Sequence, residues 1–353
     1  MDTKSLLQQF EPRPGKVVEY ERQLWQARYS PCGRFLVAGG YDATLQRWDV
    51  SGEEPMLLKP IAGHHGWAQC LAFHPTAGHL FSADSWGKLA CTPYAGESPQ
   101  PVWSLDQAHD GWIRALVVSP DGTRLATVGD DRIVRIWSCE TGKLDKELPV
   151  HPQRVFSLAF APDGQSVVSG DLYGTLRQWE LATGKVQRTF DAKVLYKVSR
   201  MQDCGGARHL LIDPAGKYLL CAGMYEPDGG FAKGAPAVLV FDWQTGKQVQ
   251  EMKVGGTEDG FAYDAQFHPA GFVMGTSCAF PGKGHVWFWK PGDEAAFYTS
   301  NKIPNGRSLS LHPQGRRLAL TVSESRNGNG RPKGEYLGGT AKIHLLELPA
   351  DEG

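Results

Sequence analysis

The sequence predicts an all-β fold: a single seven-bladed β-propeller of four-stranded antiparallel blades, closed by an N-terminal strand that completes the last blade. Three observations carry this. A hairpin signal recurs seven times, at Pro31, Pro75, Pro120, Pro162, Pro214, Pro269 and Pro313, with spacings of 44, 45, 42, 52, 55 and 44 residues. Each is a run of β-formers, a proline, a glycine within three residues, and a second such run. Proline presets φ for the turn, and glycine accepts the left-handed conformation that closes it. Second, VVSPDGTRLATVGDDRIVRIW, ending at Trp137, returns as LAFAPDGQSVVSGDLYGTLRQW, ending at Trp179. Third, runs such as WIRALVVS and VFSLAFA are apolar with little alternation, which suits strands covered on both faces by neighbouring blades.

Each unit reads as strands a, b and c, then a strand d before the next anchor. After the last strand c, AKIHLLELP, only ADEG follows, so the seventh blade lacks a fourth strand on that side. The β-rich run GKVVEYERQ, residues 15–23, precedes the first strand a and has no blade of its own. It is expected to supply the missing strand, joining the two ends of the ring by a β-ladder and protecting an edge. The expected organisation is residues 1–23 as tail and closing strand, 24–349 as propeller and 350–353 as C-terminal tail.

A second register runs through the repeat. Seventeen residues after Pro31, Pro120 and Pro162 stand Trp48, Trp137 and Trp179; the same step from Pro75 reaches Thr92. Counting 28 back from Trp137, Trp179 and Thr92 gives His109, His151 and His64, and six before Trp48 and Trp137 stand Asp42 and Asp131. With Gly63–His64, Ala108–His109 and Trp48–Asp49, these residues resemble the WD-repeat family over about residues 24 to 349. The resemblance implies a hydrogen-bonded tetrad inside each blade, which the third matches in full as His109, Thr127, Asp131 and Trp137. The fourth has His151, Ser169 and Trp179 with Tyr173 in place of Asp, and the first has Tyr20 where His belongs. Phe241 and Trp287 stand as tryptophan equivalents in the fifth and sixth blades. Asp131→Ala is expected to cost more stability than Asp84→Ala, whose position departs from the motif.

Composition narrows the function. Lys plus Arg is 37 and Asp plus Glu is 38, so the formal charge is −1, and there is no strong nucleic-acid signal. MDTKSLLQQFEPRPGK holds no long apolar run, so neither a signal peptide nor a membrane span is expected. Seven cysteines without a C-x-x-C pair suggest reduced thiols and a cytoplasmic location. No nucleophile elbow, H-E-x-x-H, P-loop or EF-hand pattern occurs, so no catalytic residue, metal or cofactor is expected. His64–His65 lack a third metal ligand, and His74, His268 and His312 are too dispersed for one site.

Antiparallel blades put the d–a and b–c connections on one side, here called the top, and the a–b and c–d turns on the other. Three insertions all fall on top: KVLYKVSRMQDCGGARH before blade five, MYEPDGGFAKGAP within it, and SESRNGNGRPKGEYLGG in blade seven. The last is expected to exchange amides rapidly and to nick between Ser325 and Gly334. Trp67, Trp86, Trp112, Arg132, Arg154, Tyr173, Tyr225 and Tyr263 collect on the same side, and aromatics with Arg are typical of interaction hot spots. The resemblance implies a non-enzymatic scaffold, and these residues are its expected protein or peptide surface. Two alternatives stay open: an enzyme using some of Asp203, Glu226, Asp228, Glu258, Asp259 and Asp264 at the channel mouth, or an aromatic-cage peptide reader.

Overall fold

A computed structural model describes residues 2–228, 233–279, 282–324 and 339–349. Among these, seven four-stranded antiparallel sheets form the blades, and one further two-stranded hairpin stands outside them. The innermost strands are Leu24–Tyr29, Ala68–Phe73, Ile113–Val118, Val155–Phe160, His209–Ile212, Phe261–His268 and Gly306–Leu311. Each touches the next, and the last touches the first, so they close a ring around a central channel. Seven buried apolar clusters lie one between each pair of neighbouring blades. That explains the missing alternation: Phe35–Gly40 and Ser166–Asp171 are buried at every residue, whereas the outer strand Leu144–Glu147 is largely exposed.

The ring closes as the sequence predicts. Val17–Tyr20 pairs antiparallel with Thr340–Glu347 and becomes the outer strand of blade seven. Arg13 and Glu347 extend the ladder by exchanging backbone hydrogen bonds of 2.8 and 2.9 Å. The preceding segment is more than a tail. Thr3–Phe10 is a helix capped by Asp2, whose carboxylate accepts from the Ser5 N–H at 2.8 Å. Its Leu6 and Phe10 are buried against blades six and seven, and the Phe10 ring lies 4.5 Å from His268 and 5.1 Å from Phe272.

An inner strand has one edge without a sheet partner, and side chains of neighbouring blades stitch it. Ser308 and Ser310 accept from the N–H groups of Ala27 and Tyr29, Gln26 accepts from Leu71, and Asp264 and Gln266 accept from Leu309 and Leu311. On the bottom, the turn glycines Gly33, Gly122, Gly164, Gly216 and Gly315 have φ between 67° and 76°, as the anchors require. The histidines before the anchor prolines belong to these turns. His268 and His312 accept a turn N–H at Nδ1, and Nε2 donates to the next blade's turn carbonyl, Gly315 at 3.0 Å and Gly33 at 3.1 Å.

The first insertion forms the hairpin Tyr196–Ser199 and Gln202–Gly205. The second lengthens two strands of blade five to Tyr218–Asp228 and Lys233–Asp242. Ser199 donates to Asp228 at 2.6 Å and ties the two together. The expected cleavage region of the third, Ser325 to Gly334, lies outside the described residues.

Closure makes a prediction. Deleting residues 1–23 is expected to lower the melting temperature of the whole chain well below that of a deletion of residues 2–12, which removes the helix alone. Equal melting of wild type and the longer deletion, followed by circular dichroism, would show that the ladder does not hold the ring.

Candidate functional site

The top face is built on hydrogen-bond networks inside blades two to four. In blade three Trp137 Nε1 donates to Thr127 Oγ1 at 2.7 Å, Thr127 lies 2.7 Å from His109 Nε2, and His109 Nδ1 lies 2.9 Å from Asp131. A carboxylate beside Nδ1 fixes the tautomer: Nδ1–H donates to Asp131, and Nε2 accepts the threonine hydroxyl. Burial pushes the His109 pKa down and outweighs the pull of Asp131, so the ring is neutral. Burial would raise the Asp131 carboxyl, but His109 and Arg135 hold it well below the usual carboxylate range.

Blade four makes the same chain from Trp179, Ser169 and His151, with Ser169 2.7 Å from both partners. Its carboxylate is Asp171, at 3.3 Å from His151, and not a residue at the Tyr173 position. Blade two uses Asp84 in the same place, 3.2 Å from His64, with Ser82 at 2.8 Å. Asp84 and Asp171 end strand b, where blade three has Gly129. Asp84 therefore is not a departure without a role. It is fully buried and also accepts from the backbone N–H groups of His65, Gly66, Trp86 and Lys88. In blade one, Tyr20 of the closing strand donates to Asp42 at 2.7 Å in place of histidine. In blade six the register corrects the tryptophan: Trp289 opposes Val273 as Trp137 opposes Leu125, and Trp287 opposes Gly275. A Cβ at Gly275 would fall 1.9 Å from the Trp287 ring, so only glycine fits there.

Three residues beyond His64 and His109 stand Trp67 and Trp112. Trp67 is 43% exposed and packs between Tyr41 at 4.7 Å and Trp112 at 5.5 Å. Trp86, 67% exposed, joins them around one shallow depression. The other sequence candidates lie apart from it. Arg132 and Arg154 are exposed on neighbouring top loops. Tyr173 packs at a tilt against Tyr196 of the hairpin, ring centres 4.8 Å apart. Tyr225 lies under the Lys253 ammonium, 3.4 Å from its ring centre, towards the outer edge of blade five. Tyr263 faces the channel. The acids considered for an enzyme do not converge: Asp203 accepts from Tyr196, Asp228 from Ser199, and Asp264 pairs with Arg28 at 2.8 Å.

A set that motif searching missed surrounds the channel mouth. In six blades a β-bulge interrupts the start of strand a, and the bulged residue lines a central cavity of about 410 Å³. Bulges re-aim side chains in this way. Blades one, four and six contribute Trp25, Phe156 and Tyr263, blades three and seven Arg114 and Arg307, and blade two Gln69. Arg208 takes the position in blade five. The signal was in the sequence: each stands six residues before its anchor proline. Arg307 lies over Trp25 at 4.7 Å and Tyr263 at 5.2 Å; Arg208 lies over Phe156 at 4.0 Å and Phe261 at 4.8 Å; Arg114 lies over Trp112 at 3.6 Å. With Trp67, Tyr41 and Trp25 in successive contact, the aromatic surface and the mouth are one connected belt.

Among the described residues no helix is long and apolar enough to cross a membrane, and no three His, Cys, Asp or Glu side chains group as metal ligands do.

The family model for the WD domain, G-beta repeat, matches residues 17–49, 99–138 and 142–180. Those segments hold the closing strand with three strands of blade one, and the networks of blades three and four. Curated relatives include the nuclear distribution protein nudF of Emericella nidulans, 29% identical over 168 residues, which is 42% of this chain and 37% of that protein. Nuclear distribution protein PAC1 of Arthroderma benhamiae is 30% identical over 153 residues, 38% of this chain and 33% of the relative. The chain thus spans about a third of the length of the relatives it matches.

Two predictions come from the networks. Asp84→Ala is expected to destabilise at least as much as Asp131→Ala, because it removes the acceptor of four backbone N–H groups, of which the buried one at Gly66 alone costs about 1–3 kcal/mol when orphaned. Chemical denaturation of the two variants decides, and a clearly milder Asp84→Ala overturns the assignment. His109, His151, His268 and His312 all have pKa values lowered chiefly by burial. Unfolding raises them to about 6.5, so the unfolded chain binds more protons and stability falls as pH drops below that value. Melting temperatures measured between about pH 7.5 and 5.5 are expected to decline; a flat profile would mean the buried rings are not held neutral.

Proposed function

We propose that this chain, which belongs to the WD-repeat β-propellers, works as a non-enzymatic protein-interaction scaffold that engages a protein or peptide on the top face. The observation that carries it is the cluster of Trp67, Trp86, Trp112 and Tyr41. Large rings left open to solvent on a rigid base are the usual anchors of an interface. The two described insertions rise on the same side and, with Tyr173, Arg132, Arg154, Tyr225 and Tyr263, provide the surrounding rim. The relatives are named for nuclear distribution in fungi, and that name supports a partner-binding role for the shared repeats and no more. The reading places the chain in the cytoplasm, where its seven cysteines, five of them buried, stay reduced.

The test is capture from cell extract with wild-type and variant chains. Trp67→Ala combined with Trp112→Ala is expected to weaken a protein partner at least about thirtyfold, roughly 2 kcal/mol, while the fold persists. His74 and Asp121 are poor controls, since both hold bottom turns through backbone N–H groups. Thr76→Ala with Gln314→Ala, exposed on the bottom, should leave that partner bound. Loss of the partner from the bottom pair instead, or its full recovery with the tryptophan pair, rejects the top-face assignment.

A further inference from the structure

The belt around the channel mouth is unbalanced in charge. Four guanidinium groups, from Arg28, Arg114, Arg208 and Arg307, line the cavity. Two are neutralised: Arg28 pairs with Asp264 at 2.8 Å, and Arg114 is held in a fork by Asp130 at 2.8 and 3.0 Å. The other two have no carboxylate partner among the described residues. Arg208 donates from Nε to the Gly205 carbonyl at 2.8 Å, and its remaining N–H groups stay available. Arg307 Nε is buried without any hydrogen-bond partner, and so is Gln69 Nε2 on the same rim. An unpaired buried donor is costly, and here the orphans at the mouth are donors. His209 adds no charge, because burial pushes its pKa down.

Aromatic contacts hold the two cations at the mouth. Aromatic rings lie 4.0 and 4.8 Å from the Arg208 guanidinium carbon and 4.7 and 5.2 Å from that of Arg307, and the paired N–H groups of a guanidinium match the two oxygens of a carboxylate. Phe261 and Tyr263, 5.4 Å apart, lie between the two arginines, so they offer separate anion positions flanked by apolar surface. The chain as a whole carries a charge of −1 and supplies no extended field for a polyanion.

We propose that the channel mouth is an oxyanion site that takes the carboxylates of a short acidic peptide segment, one at Arg208 and one at Arg307. The proposal deepens the scaffold reading and rests on it only for the side from which a partner approaches.

The experiment uses the full chain at low ionic strength and a labelled decapeptide of alternating Glu and Ala, with its Gln-for-Glu counterpart, followed by fluorescence anisotropy. The Glu peptide is expected to bind saturably and the Gln peptide not to bind. Arg307→Gln and Arg208→Gln are each expected to weaken binding about tenfold or more, and added salt should weaken it further. Arg307→Lys, which keeps the charge and loses the fork, should fall between. Lys143→Gln, exposed on the bottom, should bind as wild type. Melting curves verify folding; should Arg208→Gln not fold, the two Arg307 variants carry the test. Equal binding of both peptides, no binding of the Glu peptide, or unchanged affinity in Arg307→Gln overturns the proposal. Displacement of the Glu peptide by inorganic phosphate at matched charge would assign the site to free oxyanions and overturn the peptide assignment. Failure here, with the partner still lost from the Trp67 and Trp112 variant, leaves the scaffold reading standing.

Discussion

The ladder between Val17–Tyr20 and Thr340–Glu347 is the constraint on which the rest depends. A blade cannot bury both of its faces alone, so every core in this molecule is an interface between two blades. With the ring open, blades seven and one would each expose a face, and the cluster that joins Val18 and Ile343 to Leu24 and Trp48 would have no second wall. Closure turns seven marginal sheets into one cooperative body. The same strand carries Tyr20, whose hydroxyl holds Asp42 in blade one, so the ladder also stands in for the missing histidine of the first blade. The helix Thr3–Phe10 then covers the seam between blades six and seven from below.

A closed ring brings seven inner strands around one axis, and what they present there is decided by backbone rather than by motif. A regular strand in this position alternates its side chains between the two adjacent blades. The bulge breaks that alternation once, near the top of the strand, and gives the channel a side chain it would otherwise not receive. Because the bulge keeps a constant distance from the hairpin turn, its residue can change type freely from blade to blade. Arginines and aromatics have filled most of these places, and their contacts join around the mouth into a belt in which cations rest on rings. A symmetrical backbone thereby carries an asymmetrical chemical surface.

Much of the fold was legible because proline and glycine mark backbone conformations that few other residues adopt. The seven anchors placed the blades, and the unassigned β-run at residues 15–23 placed the closure. The site was less legible, for three physical reasons. A carboxylate can reach the same histidine from the end of strand b or from the turn two residues later, so spacing counted from Asp131 passed over Asp84 and Asp171. The helix at Thr3–Phe10 has only two buried positions, Leu6 and Phe10, too few to stand out as a pattern. The mouth residues share a register and not a chemistry, so no search by residue type joins Trp25, Gln69 and Arg114. In blade six the a–b turn is one residue shorter but the b–c connection is four longer, so the tryptophan position falls at Trp289 and not at Trp287.

The two halves of the top face reach rigidity by different means. In blades two, three and four, a buried histidine is locked at both ring nitrogens, and the chain leaves it for three residues before strand a begins to pair. Trp67, Trp112 and Arg154 sit at the end of that short span. The network therefore does more than stabilise a blade: it fixes the origin from which each exposed side chain departs. Among the described residues, blades five to seven do not show the complete network. Blade five instead raises long strands and a tethered hairpin, held to each other by Ser199 and Asp228 and to blade four by Tyr173 and Tyr196. The fixed aromatic half is pre-ordered and loses little side-chain freedom on meeting a partner. The hairpin half stands taller, with Met201 at its tip 97% exposed. A partner crossing this face would meet a firm apolar floor on one side, a projecting wall on the other, and the arginine-bearing mouth between them.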